Sequence, residues 1–275
     1  MLKKSSCHPV TLAFAANYPD SALRNQWALE NSSALQYSPD PRHPELIPQK
    51  VSAFIEAGIP VRFHTRYFDY EIGSADQDLA ETALKKHIET LKYIQGLGEP
   101  VVTVHTGLNR QLPVREELIV ANLSRLVEYA SRLGIVVCLE NLRQGHASDP
   151  YKVYEWARSS GAMLTLDLGH ARGCPVVQSG LAALPEIAEL FSPLLGEVHI
   201  YGKEDHQGHH PIQDINPLKE TLEKLLETDC RWWTIELAEP EQALSTRNLI
   251  QNFFESSPVL HKDMHHMNRG ITFPG

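Results

Sequence analysis

Six residues of metal-ligand type stand at or next to the ends of short apolar runs: His64 in V-R-F-H, His105 in V-V-T-V-H, Glu140 in I-V-V-C-L-E, Asp167 in M-L-T-L-D, His199 in E-V-H-I and Glu236 in W-W-T-I-E. One such ending is usually a solvated or capped side chain. Six in register imply a shared surface. Burying three acids among three imidazoles without a cation costs several kcal/mol for each uncompensated charge, and a divalent ion removes that cost. Glu140, Asp167, His199 and Glu236 make a mixed N/O donor set, which suits Mn²⁺, Zn²⁺, Co²⁺ or Fe²⁺ better than Ca²⁺. More imidazoles surround them. His170 follows Asp167 by three residues, and Asp205, His206, His209 and His210 share the segment after His199.

These residues need a scaffold that brings strand ends together. Runs at 10–15, 34–37, 61–64, 101–105, 135–140, 163–167, 197–200 and 232–236 read as eight strands, continuous enough in apolar character to be parallel and covered on both faces. Helical periodicity lies between them at 43–57, 77–97, 113–133, 217–227 and 241–254, with Pro113 at a helix start and Gly134 just past its end. Eight alternations give a closed barrel or a long doubly wound sheet. The six polar ends lie 27 to 41 residues apart, which favours the barrel. The expected fold class is therefore α/β, a single (β/α)₈ TIM barrel over residues 1–258, whose strand ends all reach one rim. Residues 259–275 form a C-terminal extension, with His265 and His266 expected in solvent.

Composition narrows the partners. The chain has 275 residues, 42% of them hydrophobic, and a net charge of −9 with no basic stripe, so a general nucleic-acid binder is disfavoured. The four cysteines, Cys7, Cys138, Cys174 and Cys230, have no C-x-x-C pair and read as reduced thiols. No apolar run is long enough for a signal peptide or a membrane span, so a cytoplasmic setting without membrane contact is expected. Assembly into a homo-oligomer is left open.

The motifs V-H-T-G (104–107), L-E-N (139–141), L-D-L-G-H-A (166–171), V-H-I (198–200), H-H-P-I (209–212) and I-E-L (235–237) resemble the xylose-isomerase-like barrel superfamily from about residue 10 to 255. That group contains sugar and sugar-phosphate isomerases and epimerases, and endonuclease IV. Its isomerase branch implies one metal held by Glu140, Asp167, His199 and Glu236. The two glutamates would flank the substrate carbon and move its proton, with the ion polarising the neighbouring carbonyl. His170 and His199 would orient sugar hydroxyls. The endonuclease branch implies up to three metals, adding His64, His105, His170, His209 and an Asp. Gln207 stands where that Asp belongs, and Asp205 is the nearest substitute.

The first reading is a metal-dependent isomerase or epimerase of a sugar or sugar phosphate. A multi-metal phosphodiesterase is the alternative, and a barrel that binds sugar or metal without turnover is the third. Tyr67 and Phe68 follow His64 where endonuclease IV wedges into DNA; otherwise they cap the barrel mouth, with Tyr67 a substrate contact. The family's glycine-rich N-terminal signature is absent, and A-F-A-A-N-Y-P (13–19) stands there. Lys203, Arg143 and Arg172 are candidates for holding a phosphate or enolate oxygen, with exposed loop cations as the alternative. Trp232 and Trp233 are read as packing residues.

Overall fold

Strands with a side-chain period of two place every second residue inside a closed barrel, and the chain uses that rule throughout. The computed structural model describes residues 10–257. Its strands are β1 (Thr11–Asn17), β2 (Leu35–Ser38), β3 (Val61–Thr65), β4 (Val101–Val104), β5 (Val136–Glu140), β6 (Met163–Asp167), β7 (Leu195–Ile200), β8 (Lys203–Asp205), β9 (Gly208–His210) and β10 (Trp232–Ile235). Eight of them close a parallel barrel in the order β1-β10-β7-β6-β5-β4-β3-β2, while β8 and β9 pair as a separate antiparallel hairpin on the rim. The expected barrel is present, with strand ends shifted by one or two residues from the sequence reading.

Helices cover the outside: α1 (Ala22–Asn31), α2 (Ile47–Glu56), α3 (Gln77–Ile94), α4 (Glu116–Arg132), α5 (Pro150–Ser160), α6 (Leu168–Gly173), α7 (Pro175–Gln178), α8 (Leu184–Phe191), α9 (Lys219–Leu226) and α10 (Pro240–Ser256). The sequence reading placed Pro113 at the first turn of α4, but the helix begins three residues later. The Pro113 carbonyl instead accepts from Ala75 N at 2.8 Å, and Val114 bridges Ser74. The connection thus clamps the loop after β3 before the helix can start. Gly134 has φ +73° and ends α4 in the left-handed conformation, as read. Trp233 and Trp232 are buried packing residues. Cys138, Cys174 and Cys230 are free and buried. Among the described residues no helix is long and apolar enough to cross a membrane. The extension at 259–275, with His265 and His266, lies outside the described residues, as does Cys7.

One buried acid lies within the loop after β3. Glu71 accepts from Gly73 N at 2.9 Å, and Gly107 admits it closely, since a Cβ there would meet the Glu71 carboxylate at 2.5 Å. Burial pushes the Glu71 carboxyl up to about 7, against the pull of Gly73 N–H and Thr106. A folded pKa above the usual 4.5 means that the folded chain holds the proton more tightly. Stability from this group is therefore greatest below pH 4.5, falls as pH rises towards 7, and is level above that. Glu71→Gln keeps the acceptor and removes the charge. It should raise stability at pH 8 by on the order of 2 kcal/mol and leave it unchanged at pH 4. Urea titrations of both proteins across this range test it; a gap independent of pH would refute the assignment.

Candidate metal centre

The alternation that fills the barrel brings all six predicted strand-end residues to one place. His64, His105, Glu140, Asp167, His199 and Glu236 are all buried on the C-terminal rim. Their ligand atoms converge in overlapping groups. Glu140, Asp167, His199 and Glu236 can each offer an atom within 4.8 Å of the others, as can His64, His105 and Glu140. Glu140 is common to both. Its Oε2 lies 3.0 Å from His64 Nε2 and 3.4 Å from His105 Nε2, whereas its Oε1 lies 3.2 Å from His199 Nδ1. Glu236 Oε1 is 3.3 Å from both His199 Nδ1 and His64 Nδ1.

Local structure fixes each side chain. Asp167 caps α6, with one carboxylate oxygen accepting from His170 N at 2.6 Å, which leaves Oδ2 for the cluster. Asn141 clasps the neighbouring strand end: its side chain accepts from Asp167 N at 2.9 Å and donates to Asp167 O at 3.1 Å. The glycine of D-L-G-H has a steric reason, since a Cβ on Gly169 would lie 2.0 Å from the Tyr201 ring. Tyr201 in turn stacks on His209, with ring centroids 3.8 Å apart.

A third group forms at the hairpin. His170 Nδ1 lies 3.0 Å from Asn141 O, and His209 Nδ1 lies 2.8 Å from Glu236 O. Donation to those carbonyls leaves each Nε2 free, the outer-shell arrangement of metal-bound histidines. The carboxylate beside them is Glu204, whose Oε2 is 3.5 Å from His170 Nε2. Asp205, the substitute read from the sequence, does not take this place. It faces the other side of the hairpin and pairs with His210 at 2.8 Å. Glu204 was missed because β8 and β9 are antiparallel, with Glu204 opposite His209 and Asp205 opposite Gly208.

The electrostatics fit a cation. Glu140 Oε1 and Oε2, Asp167 Oδ2, Glu236 Oε1, His199 Nδ1 and His64 Nδ1 are buried with no hydrogen-bond partner. In the protein alone, protons are the only available compensation. Burial opposes charge on His199, but Glu140 and Glu236 outweigh it and raise its pKa well above the usual value. Burial, Glu140 and Glu236 together push the Asp167 carboxyl well up. Burial also opposes charge on Glu140, yet His199, His105 and His64 hold it well below the carboxylate range. Divalent ions would serve this donor set without those protons.

Other sequence candidates fall elsewhere. Tyr67 does not reach the rim: it is buried against α3, its hydroxyl 2.5 Å from Thr90 Oγ1 and its ring on His87. The tight turn after β3, with Tyr67 N bonded to Thr65 O, rotates it outward. Phe68 is exposed. Arg143 is tied to Glu204 at 2.6 Å, and Arg172 donates to Gly202 O at 3.0 Å. Lys203 is exposed on the hairpin, 3.8 Å from Asp205. The cation that lines the open cleft is Arg66, which the sequence reading passed over; its Nη1 is 3.3 Å from Asn17 Oδ1. That cleft, about 480 Å³, is lined by Arg66, Asn17, Glu204, His209, Glu236 and Glu239 among others.

Residues 29–253 match the family described as xylose isomerase-like TIM barrel. An uncharacterized protein of Methanocaldococcus jannaschii is 29% identical over 177 residues, 62% of this chain and 72% of that protein. Among solved structures, a D-tagatose 3-epimerase-like protein superposes with a TM-score of 0.74 at 20% identity, over 92% of this chain and 99% of its own. An L-ribulose 3-epimerase gives 0.71 at 15% identity, over 97% and 100%. Endonuclease IV from Thermus thermophilus gives 0.62 at 18% identity, over 90% and 100%.

Proposed function

The chain belongs to the xylose isomerase-like TIM barrel family, and we propose that it is a divalent-metal enzyme that hydrolyses a small phosphoester at a centre bridged by Glu140. The observation that carries this reading is the division of the Glu140 carboxylate, one oxygen facing His64 and His105 and the other facing His199. A carboxylate shared in this way suits two ions, and the hairpin group of His170, Glu204 and His209 offers a place for a third.

Bound ions would supply Lewis acidity at a phosphoryl oxygen and lower the pKa of water beside it. The chain's own residues do the rest. Glu140 and Asp167 are enclosed and hold their oxygens inside the cluster. Glu236 differs: its Oε1 faces the histidines, while the residue also lines the cleft, with Oε2 3.8 Å from His209 Nδ1. It is placed to take the proton of a water whose oxygen bonds to phosphorus while the ester P–O bond breaks and the leaving oxygen departs to solvent through the open cleft. Arg66, steadied by Asn17, binds an outer phosphate oxygen at the cleft mouth. With acidic Glu204 and Glu239 on the same walls, the cleft favours a small ester over a long polyanion.

The same placement of Glu236 favours a second reading, isomerisation or epimerisation of a sugar or sugar phosphate around one ion held by Glu140, Asp167, His199 and Glu236. Glu140 is absent from the cleft lining, so Glu236 alone would move the proton between neighbouring carbons, as isomerisation needs, whereas inversion at one carbon would require Glu140 to serve the opposite face from inside the cluster. The likeness to epimerase folds supports keeping this reading.

One experiment separates them. Protein purified without chelator is analysed for metal, then assayed with bis(4-nitrophenyl) phosphate and, in deuterium oxide, with ketoses. Two or three ions and metal-dependent nitrophenol release without deuterium uptake are expected. One ion with deuterium at the carbon beside the carbonyl would replace hydrolysis by epimerisation. Bound metal with neither product would leave a binding barrel.

A further inference from the structure

The layer beneath the rim is as unusual as the rim itself. Barrel interiors of this fold are normally filled by branched apolar side chains. Two residues before five of the six rim residues, the same inward face here carries Arg62, Thr103, Thr165, Glu197 and Thr234, with Gln36 from β2 beside them; only the position before Glu140 is less polar, Cys138. Glu197 is fully buried at the centre of this layer. Its Oε1 accepts from Thr234 Oγ1 at 2.7 Å and from the Gln36 amide. Its Oε2 lies 3.6 Å from Arg62 Nη1 and accepts from Thr103 Oγ1 at 3.4 Å. Arg62 is itself held, with Nη1 donating to Gly196 O at 3.1 Å and its guanidinium over the Trp232 ring at 4.4 Å.

An ion pair in this position has a weak claim to stability, because apolar residues of similar volume usually do as well or better. It does have a second contact. Glu197 Oε1 is 3.4 Å from His199 Nε2; Gln36 Nε2, 2.9 Å from the same nitrogen, competes as a donor and must turn aside when Nε2 carries the proton that the carboxylate accepts. The opposite nitrogen, Nδ1, faces Glu140 and Glu236. The ring therefore stands between the polar floor and the rim, and a half-turn about its outer torsion would exchange its two nitrogens and carbons.

We propose that Glu197, anchored by Arg62 and Thr234, is a positioning residue for His199, fixing its imidazole so that Nδ1 is presented to the rim as a ligand. The carboxylate behind the ring orients it and strengthens it as a donor, the role that outer carboxylates play behind metal-bound histidines. This rests on the reading of the rim as a metal centre, and not on which reaction the centre performs.

The test uses the full chain titrated with Co²⁺, whose visible spectrum reports the ligand set. In the double variant Arg62→Met/Glu197→Met both charges leave together, so no unpaired charge stays buried. Co²⁺ affinity, measured against a competing chelator, should fall about 10- to 100-fold, with a changed spectrum and a metal-free Tm equal to or above that of the wild type. Thr234→Val, nearly isosteric, removes the hydroxyl that donates to the carboxylate, and with it the acceptor of Trp232 Nε1, and should weaken affinity several-fold in the same direction; it decides the matter if the double variant does not fold. Wild-type affinity and spectrum in a folded variant would overturn the proposal. A wild-type chain that takes up no Co²⁺ would instead overturn the metal centre beneath it.

Discussion

Glu140→Gln should lower turnover at least 1,000-fold and reduce the bound metal by one ion or more per chain. The change is isosteric, so the site keeps its shape. What it removes is the second anionic oxygen. One Glu140 oxygen serves His64 and His105, the other serves His199, and a neutral amide offers a single acceptor. Both ion positions weaken at once, which is why the expected loss exceeds that for any other single ligand. The fold should survive. Glu140 helps to push the Asp167 carboxyl up, so removing its charge relieves a repulsion while leaving His199 with Glu236. Elemental analysis, circular dichroism and rate measurements on one preparation would check all three statements. More than a tenth of wild-type activity with a full metal count would refute the bridging role.

The residues that vary between this prediction and a sequence-based one show where linear reasoning stops. The convergence of the six strand-end residues was legible because strand periodicity and parallel closure turn sequence position into height on the barrel; a His or Glu that ends an apolar run has one place to go. The barrel was legible for the same reason. Several helices were not read although their signals are present: α5 has Asp149 as its cap, Pro150 in its first turn and Gly161 left-handed at its end. Residues placed by loops escaped. Glu204 and Asp205 are neighbours in sequence, yet the hairpin sends one to His170 and His209 and the other outward to His210. Tyr67 follows His64 by three residues, but the turn between them rotates it onto α3. Arg66, in that same turn, reaches the cleft instead. Glu197 went unread because its meaning lies in contacts from β2, β3 and β10, which come together only on closure.

His105→Gln distinguishes the hydrolytic reading from the single-ion one, and the electrostatics make it a cleaner variant than any change at His64. In the protein alone, burial opposes charge on His64, but Glu140 and Glu236 outweigh it and raise its pKa, so His64 compensates those acids when no cation is present. Removing it would leave them unbalanced and confuse metal loss with unfolding. His105 behaves in the opposite way: burial lowers its pKa to about 3 despite Glu140, so it is neutral at physiological pH and carries no compensating charge. Gln in its place changes little in the metal-free protein, and stability should stay within about 1 kcal/mol. What it does remove is one of the two imidazoles on the far side of Glu140. If hydrolysis needs an ion there, the variant should hold one ion fewer and release nitrophenol at least 100-fold more slowly, while the Glu140, Asp167, His199 and Glu236 set stays loaded. Unchanged metal content with activity within threefold would show that the His64 and His105 side holds no working ion. The centre would then reduce to one ion with Glu236 at the cleft, the arrangement that proton transfer beside a carbonyl requires.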